Sequence, residues 1–143
     1  MSPVHPHNPH NPQISDAERE VMKTLWELQR ATVREIREHL AESGREWAHT
    51  TINTLLSRLE EKRLVNRDTS EFAHVFSAAV SRETMVQKRL RSLADNFCDG
   101  ASAPLVLALV EGERYTKSEL EEFRQLIDRL EKHMEAQPHV DIA

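Results

Sequence analysis

Apolar residues fall at helical spacing in three successive short stretches, change to strand-like runs, then return to helical spacing for the rest of the chain. Val21, Met22, Leu25, Trp26 and Leu28 make the first stripe, and Ser15-Asp16-Ala17-Glu18 ahead of it is a capping box that starts a helix. Thr32-Val33-Arg34-Glu35 repeats the device before Val33, Ile36 and Leu40, with Gly44 as a stop signal. Ile52, Leu55, Leu56 and Leu59 predict a third helix, with Thr50 or Thr51 near its start as a cap. "LVNRD" and "FAHVFSAAV" then read as β-rich runs, Phe72, His74 and Phe76 alternating with Ala73, Val75 and Ser77. They predict a two-stranded hairpin that needs the helices beneath it.

The far side of the third helix carries Thr50, Asn53, Thr54, Ser57 and Arg58. Thr, Ser and Asn are poorer helix formers than the Glu, Lys or Gln usual on a solvent face. Short hydrogen-bonding side chains do suit a helix whose backbone must come close to base edges. Three helices and then a hairpin is the order of a winged helix-turn-helix, in which the third helix enters the major groove. The fold class predicted is therefore mainly α with a small β-hairpin: a winged helix-turn-helix DNA-binding domain over 14–80 and a C-terminal helical dimerisation domain over 81–136.

The second half has its own pattern. Met85, Val86, Leu90, Leu93 and Phe97 lie at helical spacing from Ser81 onward. "ASAPLVLALVEG" follows, apolar almost all round, with Pro104 suited to a first helical turn. Thr116-Lys117-Ser118-Glu119 then caps a last helix bearing Leu120, Phe123, Leu126, Ile127, Leu130 and Met134. A nearly all-apolar short helix is expected to be buried. Three such helices make a poor core alone, so burial against a second copy is predicted, through Val86, Leu90, Leu93, Phe97, Leu105, Leu109, Phe123, Leu126 and Leu130.

Charge complicates the nucleic-acid reading. Residues 1–80 hold ten Lys or Arg against twelve Asp or Glu, and the whole chain carries −5. Any basic groups that meet phosphates must therefore be sorted onto one face, and a winged-helix adaptor that binds protein instead of DNA remains the alternative. The first thirteen residues, with four Pro and three His, read as a solvated arm and not as a metal site, and 137–143 as a tail. The lone Cys98 cannot form an internal disulfide and suits a reducing cytoplasm. No Gly-rich phosphate loop or metalloprotease helix motif is present, so neither an enzyme nor a cofactor is predicted.

Three segments, "ISDAEREVMKTLW", "WAHTTINTLLSRLEEKRLV" and "PLVLALVEGERYTKSELEEFRQLIDRL", resemble the penicillinase-repressor (BlaI/MecI type) family of bacterial transcription regulators over roughly 14–132. The resemblance implies a cytoplasmic homodimeric repressor on a palindromic operator. It assigns DNA reading to Thr50, Thr51, Asn53, Thr54 and Arg58, with His49 standing where the family often has proline and Arg67 offered by the wing. Arg45, Ser57, Lys62 and Arg63 complete the expected contact set, the cations on phosphates. Positions 50 and 53 are often Lys and Arg in relatives, and Arg63 replaces a frequent glycine. The family's better-known members are switched off by proteolysis. The matching bond here is Ala108–Leu109, a target for a membrane sensor protease, although the relatives' Asn-Phe pair is absent.

Overall fold

In the computed structural model, residues 13–136 are described; the arm with His5, His7 and His10 and the tail from 137 lie outside them. The elements are α1 (Asp16–Leu28), β1 (Arg30–Ala31), α2 (Val33–Glu42), α3 (His49–Glu61), β2 (Val65–Asp68), β3 (Val75–Ala78), α4 (Arg82–Phe97), α5 (Ala103–Glu111) and α6 (Lys117–Ala136). The chain divides into two compact units, one ending at Gly100 and one beginning at Ala101. Compactness thus groups α4 with the winged helix.

The capping signals act as their chemistry requires. At Thr32 the box closes both ways: the Thr32 N–H donates to Glu35 Oε1 (3.1 Å) and the Glu35 N–H to Thr32 Oγ1 (3.2 Å). The box at Thr116 and Glu119 also closes, at 3.0 and 3.1 Å. At Ser15 only half forms, with the Glu18 N–H donating to Ser15 Oγ (3.1 Å). The Glu18 carboxylate is committed elsewhere, to Lys62.

The first unit is built on the apolar stripes of its three helices. Val21, Met22, Leu25, Ile36, Ile52, Leu56, Leu59 and Phe76 are all at most 1% exposed. Removing each such side chain from water contributes roughly 1.5–3 kcal/mol. The sheet is three-stranded and antiparallel in the order β1-β3-β2, one strand more than the predicted hairpin. Arg30 and Ala31 pair with Ser77 and Phe76, on the edge of β3 that β2 leaves open. That extra pairing carries Phe76 into the core. Phe72 does not share its face: the ladder ends at the Asp68–Val75 pair, and Phe72 is fully exposed in the loop beyond it.

Trp26 fastens the junction between wing and α4. Its indole Nε1–H donates to the Val80 carbonyl (2.9 Å), and the Arg82 guanidinium lies 5.4 Å over its ring. Ser81 caps α4 by accepting the Thr84 N–H.

The second unit contains α5 and α6, and neither has a buried residue. The single chain does not cover its apolar short helix: Val106, Leu107 and Leu109 are each more than half exposed. Tyr115, in the turn between the two helices, meets Phe123 of α6 edge-on at 5.0 Å and donates its hydroxyl to the Leu109 carbonyl of α5 at 3.4 Å. No helix among the described residues is long and apolar enough to cross a membrane.

Candidate nucleic-acid interface

Helix α3 is anchored by Ile52, Leu55, Leu56 and Leu59, all buried. Helical periodicity then forces Thr50, Thr51, Asn53, Thr54, Ser57 and Arg58 outward, and every one is exposed. Thr54 uses its hydroxyl to donate to the Thr50 carbonyl (3.0 Å). Asn53 and Ser57 enter no side-chain hydrogen bond with the described residues, so their donors and acceptors remain available. Arg58 is paired with no carboxylate among them.

The start of α3 differs from the sequence expectation. The N-cap is Ala48, with extended φ and ψ, and no side chain caps the helix; neither Thr50 nor Thr51 does so, because both already lie inside it. The first N–H groups of α3 are thus left without side-chain acceptors beside the exposed His49. Uncapped N–H groups and the positive end of the helix dipole together favour an anion.

The expected cations divide into two groups. Lys62 turns inward: its Nζ lies 2.6 Å from Glu18 Oε2 and donates to the Gln13 carbonyl at 2.8 Å. Glu18 is one of two buried polar residues in the core, so Lys62 neutralises a carboxylate that would otherwise be stranded. Arg67 is clamped too. Its Nε and Nη2 donate to the two oxygens of Glu60, each at 3.1 Å, and Nη1 lies 3.1 Å from His74 Nδ1. The guanidinium stacks 4.8 Å over the Phe76 ring. Glu60 is therefore a structural partner rather than an acid left on the reading face. Arg45 has only a loose pairing, 3.6 Å from Glu20.

Arg63 has an unexpected conformation. It stands at φ 61°, in the left-handed region, where glycine is favoured. Its N–H donates to the Glu60 carbonyl (3.0 Å) and the Leu64 N–H to the Leu59 carbonyl (2.9 Å), the Schellman closure that ends a helix. The position asks for glycine on conformational grounds and holds an exposed cation instead.

Between α3 and the wing runs a cleft whose lining includes Thr32, Arg34, His49, Asn53, Arg67, Phe72 and His74. Sequence reasoning missed Arg34, which sits on α2 and reaches this cleft only through the packing of α2 against α3. It missed Phe72 as a surface group because strand alternation placed it on the same face as Phe76. No group of three or more His, Cys, Asp or Glu positioned to hold a metal occurs among the described residues.

Fold and surface define a winged helix-turn-helix module whose third helix exposes a polar face. The sequence matches the penicillinase repressor family over residues 14–129, and the chain belongs to that family. It is 28% identical to the penicillinase repressor of Bacillus licheniformis over 82% of this chain and 91% of that protein. It is 29% identical to the methicillin resistance regulatory protein MecI of Mammaliicoccus sciuri, over 82% and 94%. Among solved structures, it is similar to the DNA-binding domain of the repressor BlaI, at 32% identity and a TM-score of 0.46, over 52% of this chain and 89% of that one.

Proposed function

We propose that this chain is a transcriptional repressor that binds a palindromic operator in double-stranded DNA as a homodimer in the cytoplasm. The observation that carries the reading is α3: three buried leucines and one buried isoleucine on one side, six exposed reading residues on the other, and an uncapped start. Asn53 is suited to an adenine edge and the methyl groups of Thr50 and Thr54 to thymine. Arg45, Arg58 and Arg63 are the phosphate or guanine contacts, while Lys62 and Arg67 support them by holding the third helix and wing in shape. The α3 start takes a phosphate on its open N–H groups.

Membership of a repressor family and the exposed apolar residues of α4, α5 and α6 support the dimer. Leu90, Leu93 and Phe97 are at least 40% exposed, as are Leu109, Leu126 and Leu130. Two reading heads joined this way would meet half-sites one helical turn apart. Cleavage at Ala108–Leu109 by a membrane sensor protease would cut α5 and separate the copies. Since that bond lies inside a helix, the protease would first have to unwind α5.

The test is selection of bound duplexes from a random library, followed by titration of the recovered fragment at two salt concentrations. The reading requires a dyad-symmetric site and an affinity that falls steeply with salt. Arg58→Ala should cost about 1–3 kcal/mol of binding and relax selectivity at one position of each half-site. Recovery of no symmetric site, or a flat salt response, would favour a protein-binding module instead.

A further inference from the structure

We infer that Phe72 is a minor-groove probe: an apolar side chain at the wing tip that inserts beside the bases flanking each half-site. This inference rests on the DNA-binding reading above and concerns a residue which that reading does not use.

Three observations carry it. Phe72 has the greatest exposure of the large apolar side chains described, with a ring open to water on all sides. A lone exposed apolar residue is ordinary on a protein surface, so position must decide its meaning. Phe72 lines the cleft that also holds His49 and Asn53, which puts the wing tip on the same side of the molecule as the start of the reading helix. When α3 lies in the major groove, the tip therefore meets the DNA and not the solvent behind it.

The second observation is charge. Wings usually grip DNA through cations, but between residues 65 and 78 the only Lys or Arg is Arg67, against Asp68 and Glu71. Arg67 is bound to both oxygens of Glu60. This wing has little with which to hold phosphates, and the large group it projects is a benzyl ring. Apolar side chains wedged between base steps from the minor groove unstack them and bend the duplex.

Third, the loop is rooted well enough to aim the ring. Asp68 Oδ1 accepts the Ser70 N–H at 2.9 Å, and Asp68 Oδ2 accepts from Arg30 Nη2 at 3.1 Å. Hydrogen bonding from Ser70, helped by the Arg30 charge, holds the Asp68 carboxyl below the usual carboxylate range, so it stays ionised for this duty. Six residues, 69–74, then span the tip. A short loop fixed at its base loses less freedom on binding than a loose one.

The experiment uses the full chain and the duplex it selects from a random library, extended on both sides. Wild type, Phe72→Ala and Phe72→Leu are titrated at about 50 and 200 mM salt. Phe72→Ala should bind about tenfold more weakly at both salts, with parallel lines, because a benzyl ring releases no counterions. Phe72→Leu should keep most of the affinity. A 2-aminopurine placed in turn at flanking adenines should brighten with wild type, as its step is unstacked, and stay dark with Phe72→Ala. Thermal unfolding of Phe72→Ala should match wild type, since the ring packs against nothing. If the wild type selects a duplex and Phe72→Ala binds it within about twofold, or if no flanking step brightens, the inference is wrong while the repressor reading stands. If the wild type enriches no duplex, both fall.

Discussion

The two halves of the chain use similar residues to opposite ends. The first unit closes leucines, isoleucines and valines of its winged helix around Phe76, and most of its exposed large apolar side chains are on α4. The second has α5, the most apolar helix in sequence, and α6, yet buries no side chain within itself. Composition alone does not separate a core from an interface. The difference lies in whether the periodicities of neighbouring elements face each other within one chain. In α1, α2 and α3 they do. In α5 and α6 a nearly all-round apolar helix meets an amphipathic one across a five-residue turn, which leaves most of the apolar surface uncovered. An uncovered apolar surface of that kind is what the proposed dimer would bury.

The sharpest test of the contrast is Leu109→Asp against Leu56→Ala. Leu109→Asp should leave the first unit folded but abolish pairing, by placing a charge in what the second copy would cover, at about 3–5 kcal/mol. Sedimentation would then report monomers, and operator occupancy would drop by far more than any single contact could explain. Leu56→Ala should do the reverse, lowering the stability of the first unit by about 2–5 kcal/mol, independently of protein concentration. Denaturant unfolding at two protein concentrations separates them. If Leu56→Ala loosens the dimer, or Leu109→Asp melts the winged helix, the two regions are not the independent units described here.

Lys62→Met comes next in size. It strands the Glu18 carboxylate and should cost about 2 kcal/mol of unfolding free energy. The slope of operator affinity against salt should not change, because the Lys62 ammonium is engaged by the Glu18 carboxylate and the Gln13 carbonyl. A shallower slope would return Lys62 to the phosphate-contacting set. The smallest effect is expected at Arg63. Arg63→Gly relieves a left-handed backbone conformation and should raise stability by up to about 1 kcal/mol, while removing one cation per copy from the proposed DNA face and reducing the salt slope accordingly. Chemical denaturation and the same salt titration read the two consequences in opposite directions.

Much of this was visible in the residues, for identifiable reasons. Capping boxes and the i, i+3, i+4 stripes are local rules, and they located α2, α3 and α6 and the faces they bury. The exposure of Thr50, Asn53, Thr54, Ser57 and Arg58 followed from the same periodicity. Non-local relations were not visible. β1 is two residues long and exists only because β3 has a free edge to pair with. Glu18 reaches Lys62 across 44 positions, and this single contact both opens the capping box at Ser15 and withdraws a cation from the proposed DNA face. Glu60 holds Arg67 in place, a pairing of α3 with the wing that helical periodicity does not disclose. The start of α3 was displaced because Ala48 takes the cap position, leaving both threonines inside the helix.

The bond from the Trp26 indole to the Val80 carbonyl has one more implication. It fixes the angle at which the backbone leaves the wing and begins α4, so each reading head is splinted to the stem that follows it. In the proposed dimer, with α4 as part of the seam, splinted stems would act as a calliper with a set jaw. Operators lengthened or shortened by a base pair at the centre would be rejected, and a Trp26→Phe protein, its splint cut, would accept them.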